Sequence, residues 1–226
     1  MCPSLDARTV QVKAVNERLL GTSRGEDLVG AAKRDLFVAG RYPSELEHDV
    51  VVRTGTTARL RPIRPDDAQK LVRFHNRLTS DAIYRRYFSL HPELSVEEVR
   101  HLTEVDYVDR LALVVEEGGE LLAVGRFDRY PLTTKAEVAF IVDDGHQHLG
   151  LGHLLLANLA DAAWARGITT FTAETLARNH DMLAVFRHSG YPVKTSFADG
   201  EATVTFSIEP TQESATLHGE HLAGGV

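Results

Sequence analysis

The sequence contains a single cysteine, Cys2, so no disulfide can close within the chain and no set of thiolates is on offer to a metal ion. No apolar run approaches the roughly 18 residues of a membrane span. Asp6 and Arg8 stand where a secretory leader would need an apolar stretch. Positive charge is in deficit: 25 Lys and Arg against 32 Asp and Glu give a net charge of −7. That balance is wrong for general nucleic-acid binding, which needs a surplus of cations to neutralise phosphates, and it leaves room for a cationic partner. There is no internal repeat and no long low-complexity segment. What remains is a cytoplasmic globular protein, with neither nucleic acid nor membrane among its expected partners.

The chain has 226 residues and a mass of 25.0 kDa. At that size roughly 70% of the unfolded surface can be buried, so a core forms without staples. Three parts are expected. Residues 1–46 carry short apolar stripes over Val10 to Leu20 and Glu26 to Val38, consistent with a helical extension or a partly ordered arm. Residues 47–210 form the main domain. Residues 211–226 are polar, end in glycines, and are expected as a frayed tail.

Within the main domain, Thr57 to Ile63 alternates as a strand, and Pro65-Asp66-Asp67 opens a helix with proline and acids in its first turn. A second helix is expected over Asp81 to Phe88. The third begins at a capping box, Ser95 with Glu98, flanked by a Leu94–Val99 staple. Leu111 to Glu116 and Leu121 to Arg129 form a hairpin around Glu117-Gly118-Gly119. Ala136 to Val142 is the near-continuous apolar run of a central strand. A glycine-rich turn leads from it into a helix ending near Arg166. Ile168 to Thr175 is a strand, Asn179 to His188 a helix closed by Gly190, and Tyr191 to Ser196 with Ala202 to Ile208 a last hairpin. The order predicts a mixed α/β sheet rather than a strictly alternating doubly wound one.

Gln147-His148-Leu149-Gly150-Leu151-Gly152-His153 joins the buried strand to a helix start. Backbone amides and the positive end of a helix dipole at such a turn favour an anion, usually a phosphate. A dinucleotide fingerprint would need a small residue where Leu155 stands, and a nucleotide P-loop needs Gly-Lys-Ser/Thr, which is absent. The remaining pattern, Gln-x-x-Gly-x-Gly between strand and helix, is followed by Thr170 to Thr175, Asn179 and Ser189-Gly190-Tyr191 at a matching separation. Together these resemble the acetyl-CoA-binding motifs of the GNAT acetyltransferase superfamily. Val50 to Gly55, Leu60 to Asp67, Tyr84 to Phe88 and Ala136 to Val142 narrow the resemblance to the acetyltransferase domain of Pat-type bacterial protein lysine acetyltransferases, over about Glu47 to Pro210. In actinobacterial members that domain is often fused to an acyl-CoA-ligase-like domain, for which this sequence has no counterpart.

The resemblance implies a GNAT fold: a central mixed, mostly antiparallel sheet with a splayed strand pair, flanked by helices. It implies acetyl-CoA as co-substrate, with Gln147, His148, Leu149, Gly150, Leu151, Gly152 and His153 around the diphosphate and Asn179 on the pantetheine arm. A main-chain N–H of Phe140, Ile141 or Val142 would face the thioester oxygen. It also implies a protein acceptor with an exposed lysine, an AMP-forming acyl-CoA synthetase such as acetyl-CoA synthetase, attacked through a ternary complex. Lysine needs help to react: with a reference pKa near 10.4, its neutral fraction at pH 7 carries a handicap of about 4.6 kcal/mol. Glu137 is the candidate general base, a carboxylate out of pattern in an apolar strand, where partial burial would raise its pKa. The position that carries a tyrosine acid in many relatives is Phe186 here, so no general acid is assigned. The alternatives are a small-molecule amine acetyltransferase and a catalytically weak acetyl-CoA-binding sensor.

Other features have plainer readings. His146, His148 and His153 crowd the glycine turn without a carboxylate set for a metal, and no metal site is expected. Tyr84, Tyr87 and Phe88 pack a helix bordering the acceptor groove. Glu97, Glu98, Glu104, Asp106 and Asp109 form a solvated acidic face that could also attract a basic target loop.

Overall fold

The computed structural model describes residues 40–89 and 93–222. The helices expected between Val10 and Val38 lie outside them. Among the described residues, eight strands form one sheet in the order β1-β2-β3-β4-β5-β6-β8-β7. The strands are β1 (His48–Val51), β2 (Thr57–Pro62), β3 (Arg110–Glu117), β4 (Glu120–Arg129), β5 (Lys135–Val142), β6 (Thr170–Leu176), β7 (Val193–Ala198) and β8 (Glu201–Ser207). β5 and β6 run parallel, and every other neighbouring pair is antiparallel. The mixed, mostly antiparallel sheet read from the sequence is the one present.

The helices are α1 (Ala68–Arg77), α2 (Ser80–Tyr87), α3 (Val96–Thr103), α4 (Leu151–Trp164), α5 (His180–Arg187) and α6 (Gln212–Leu222). The capping box forms as expected: Glu98 N–H donates to Ser95 Oγ at 3.2 Å, and Ser95 N–H to Glu98 Oε2 at 2.7 Å. Upstream, Arg61 is buried and forks onto Asp67 with two bonds of 2.7 Å, while Lys70 Nζ reaches Glu116 at 2.6 Å. This cluster ties the start of α1 to β2 and β3.

α4 is buried nearly all round rather than along one stripe. One side packs on β3, β4 and β5, and the other is covered by α6. The second contact overturns the frayed-tail expectation for part of residues 211–226. Thr211 and Ser214 cap the helix reciprocally, Ser214 N–H to Thr211 Oγ1 and Thr211 N–H to Ser214 Oγ, both at 2.9 Å. Thr211 Oγ1 also donates to the Gly190 carbonyl at 2.8 Å. Gly190, at φ +76°, is required twice: a Cβ there would also stand 2.6 Å from Ser214 N.

Of the acidic face, Glu97 and Glu104 are exposed as expected, and the other three have structural partners. Glu98 belongs to the capping box. Asp106 Oδ1 accepts the N–H groups of Val108, Asp109 and Arg110 at 2.8, 2.8 and 2.9 Å. Asp109 pairs with Arg129 at 3.1 Å.

Candidate functional site

β5 and β6 pair only at Lys135–Thr170, Ala136–Phe171 and Glu137–Thr172, although β5 continues to Val142 and β6 to Leu176. Beyond Glu137 they diverge, and a cavity of about 350 Å³ opens along the gap. Its walls include α2, the glycine turn and α5. The direction of the main chain in the gap follows from parity. The Lys135 carbonyl accepts Tyr130 N–H, and Asp143 N–H donates to the Leu122 carbonyl, both at 2.9 Å and both toward β4. The register between them is unbroken. Bonding direction alternates along a strand, so Ile141 bonds to β4 while the N–H groups of Phe140 and Val142 face the gap. Of the three expected donors, Ile141 contributes a side chain to the wall instead.

The glycine turn lies at the α4 end of the cavity. Its preceding residues are fastened first: His146 Nδ1 lies 2.6 Å from Asp143 Oδ2, and Asp144 accepts from Gln147 Nε2 at 3.1 Å and from Thr79 N–H at 2.9 Å. The Gln147 side chain is thus spent on shaping the turn, and Asp144 ties that turn to the start of α2. His148 and Gly150 both have positive φ, 61° and 80°, an alternation that turns successive amides to one side. Among the described residues the N–H groups of Gly150, Leu151 and Gly152 donate to no other group, while Gln147 N–H closes the short 3-10 turn on the Asp144 carbonyl. The first intrahelical bond runs from Leu154 N–H to the Gly150 carbonyl at 3.0 Å. A run of unspent amides at the start of a fourteen-residue helix fits a diphosphate. Gly152 has a packing reason of its own, since a Cβ there would meet Val185 Cγ2 at 3.1 Å.

At the other end, Glu137 stands on the opposite face of the sheet from Phe140, half-buried. Its cross-strand neighbours are Asp128 on β4 and Thr172 on β6. Asp128 is held by Arg110 at 3.0 Å and Arg126 at 3.3 Å; burial pushes its carboxyl up, but these cations prevail and keep it below the usual range. Glu174, two residues past Thr172, lines the same cavity. Its carboxyl is pushed up, first by partial enclosure and then by the negative charges of Glu137 and Glu201, although the side chain still reaches solvent. Arg86, on the last turn of α2, lies among Arg126, Glu137 and Asp128, and its guanidinium is pushed down by burial and by Arg126. Tyr130 Oη lies 3.0 Å from Thr172 Oγ1 on the same face.

The remaining sequence-predicted residues divide. Leu151 is core, and His153 lines the cavity. Asn179 also lines it, but its side chain is engaged: Oδ1 accepts Met182 N–H at 3.2 Å as the cap of α5, and Nδ2 donates to Thr175 Oγ1 at 3.0 Å. Phe186 is buried against Phe140 and Phe206. Tyr191 stacks on Phe206 and lies outside the cavity, so it supplies no acid there. No group of three metal-ligating side chains comes together among the described residues. Sequence reasoning passed over Glu174, Arg86 and Arg53. The first had a signal, since Thr170, Thr172 and Glu174 alternate with Phe171 and Ala173, marking a polar sheet face. Arg53 sits in a hairpin turn far from the glycine motif in sequence, and no local pattern links the two.

Residues 79–191 match the acetyltransferase (GNAT) family. The chain is 36% identical over 145 residues to acetyltransferase Pat of Mycolicibacterium smegmatis, a match that covers 62% of this chain but only 43% of that protein. It is 31% identical over 128 residues to acetyltransferase PA5475 of Pseudomonas aeruginosa, covering 54% of this chain and 68% of that one. Among solved structures, the GNAT domain of S. lividans PAT superposes with a TM-score of 0.70 at 42% identity, covering 74% of this chain and 99% of that domain.

Proposed function

The chain belongs to the acetyltransferase (GNAT) family, and we propose that it is an acetyl-CoA-dependent N-acetyltransferase acting on lysine side chains of protein acceptors. AMP-forming acyl-CoA synthetases are the acceptor class that its Pat-like motifs suggest. The observation that carries this reading is the gap beyond Glu137. Unspent amides lie at one end of it, a half-buried carboxylate at the other, and strand amides face into it between them. Residues 47–210 are the catalytic domain in this proposal.

The roles follow from placement. The amides of Gly150, Leu151 and Gly152 receive the diphosphate, with His148 and His153 at the rim. Leu149 and Leu151 anchor the turn from beneath, both packed against the core. Asn179 keeps α5 in place beside the pantetheine path. Bound acetyl-CoA supplies the acyl group as an activated thioester. Phe140 and Val142 N–H donate to the developing negative charge on its carbonyl oxygen, a contribution of a few kcal/mol per donor in comparable sites. Glu137 takes the proton from the acceptor ammonium, offsetting part of the cost of neutral lysine at pH 7. A coenzyme A thiol, with a pKa near the ~8.5 of cysteine, can depart as thiolate, so the mechanism does not require an acid at Phe186.

The sheet face around Glu137 bears on the size of the acceptor. The side chains of Glu174, Thr203, Lys194 and Ser196 on that face are exposed. A polar, open face of this kind fits a protein surface presenting a loop better than a small molecule, which calls for an enclosed pocket. The deciding experiment is transfer of radiolabelled acetyl from acetyl-CoA to purified acetyl-CoA synthetase and, in parallel, to a panel of small amines. Label on one active-site lysine of the synthetase is the expected result. Label only on small amines replaces the acceptor assignment, and tight acetyl-CoA binding without transfer to any acceptor replaces the enzyme with a sensor.

A further inference from the structure

We infer that Arg53, in the turn between β1 and β2, is a phosphate-binding residue for the co-substrate and sets its affinity from outside the glycine turn. The inference rests on the reading of the cavity as an acetyl-CoA site. Arg53 lines that cavity. Its Cδ lies 4.0 Å from where a Cβ on Gly150 would stand, so its aliphatic arm reaches the glycine turn. The base of the arm is rigid. Gly55 N–H donates to the Val52 carbonyl at 2.7 Å, and Val52 N–H to the Thr56 carbonyl at 2.9 Å, closing a tight hairpin. Val50 and Val52 bury the strand end beneath it at 1% and 5% exposure.

The charge pattern sets this arginine apart from its neighbours around β2. In the same part of the molecule Arg59, Arg61, Arg64, Lys70, Arg73 and Arg77 are each paired with a carboxylate. Arg53 makes no hydrogen bond or ion pair among the described residues, and it lines the same cavity as the amides at the start of α4. In a chain of net charge −7, an unpaired arginine beside the glycine turn supplies what neutral amides lack: a full positive charge and a planar fork matched to phosphate oxygens. Two phosphate groups of acetyl-CoA could meet it, the diphosphate and the 3′-phosphate.

The test is calorimetric binding to wild type, Arg53→Ala and Arg53→Lys, using acetyl-CoA, its 3′-dephospho form and S-acetylpantetheine, which has neither phosphate group. For the last ligand kcat/KM serves where affinity is too low for calorimetry. Arg53→Ala should weaken acetyl-CoA about tenfold or more and leave S-acetylpantetheine within about twofold of wild type, with Arg53→Lys between. A loss that persists with the 3′-dephospho ligand assigns the diphosphate, and a loss that disappears assigns the 3′-phosphate. Unchanged acetyl-CoA affinity in Arg53→Ala, or equal weakening of S-acetylpantetheine, overturns the inference. If wild type binds no acetyl-CoA, it is the reading of the cavity that fails.

Discussion

The two ends of the sheet handle charge in opposite ways. Where α1 packs on β2, β3 and β4, the cations are paired: Arg61 with Asp67 and Glu116, Lys70 with Glu116, Arg73 and Arg77 with Glu120. Around the gap between β5 and β6, Glu137 and Glu174 share a cavity wall with no ion pair between them and any cation among the described residues, and Arg53 stands unpaired at the far end. In the first region the desolvation of charge is offset within the fold, and the return is a fixed start for α1. In the second the fold leaves like charges side by side and amides without acceptors, an arrangement that costs stability and becomes favourable only when a ligand supplies the missing partners. At these two places paired charge builds scaffold, and the unpaired Glu137, Glu174 and Arg53 line the cavity.

The sharpest way to break this contrast is to unpair the scaffold. Arg61→Ala strands Asp67 and Glu116 in a buried setting and should cost about 3–5 kcal/mol in denaturant unfolding, the penalty typical of removing one partner of a buried pair. The opposite operation on the site should hit function and spare the fold. Glu137→Gln should lower kcat by roughly 10² or more, about 2.7 kcal/mol of barrier. Acetyl-CoA affinity should stay within about twofold and the melting temperature should not fall, since a repulsion with Glu174 is relieved. A large loss of stability in Glu137→Gln would place that residue in the scaffold class. Gly125→Ala tests how far the two regions are mechanically joined. A Cβ at Gly125 on β4 would stand 2.9 Å from Phe140 Cδ1 and 3.0 Å from Leu159 Cδ1. Relieving that overlap should cost about 1–3 kcal/mol and, because Phe140 borders the gap, should also weaken acetyl-CoA binding.

Much of this was legible in the residues and some was not. The capping box at Ser95 and the glycine turn announced themselves, because cap and turn chemistry is local. The splay of β5 from β6 was expected only through family resemblance, since divergence of two strands is a property of the sheet and leaves no periodic mark in either strand. β1, His48-Asp49-Val50-Val51, is too short to show an alternating pattern, so nothing local marks it as a strand. α6 was missed although Thr211 and Ser214 carry a recognisable reciprocal cap, because polar composition and terminal glycines outweighed it. Arg53 and the glycine turn are almost a hundred residues apart in sequence, and only the folded chain brings that arginine to the wall of the same cavity.

The smallest expected effect lies at the seam between the two regions. His101, on the last turn of α3, sits beside the Arg110–Asp128–Arg126 cluster that backs Glu137 across the β4–β5 pair. Burial, and after it the positive charges of Arg110 and Arg126, hold its imidazole down at about 4, and its Nε2 is buried without a partner. The folded-state pKa is below the unfolded one, so the unfolded chain binds the proton first. His101 therefore contributes its full share of stability above pH 6.5 and loses it progressively as the pH falls from there toward 4. By pH 6 the loss should be on the order of 1 kcal/mol relative to pH 8, and replacing His101 with Phe should flatten that part of the stability profile. If instead the profile of His101→Phe tracks wild type between pH 8 and 5, His101 is not the group that titrates, and the seam is held by the Asp128 pairs alone.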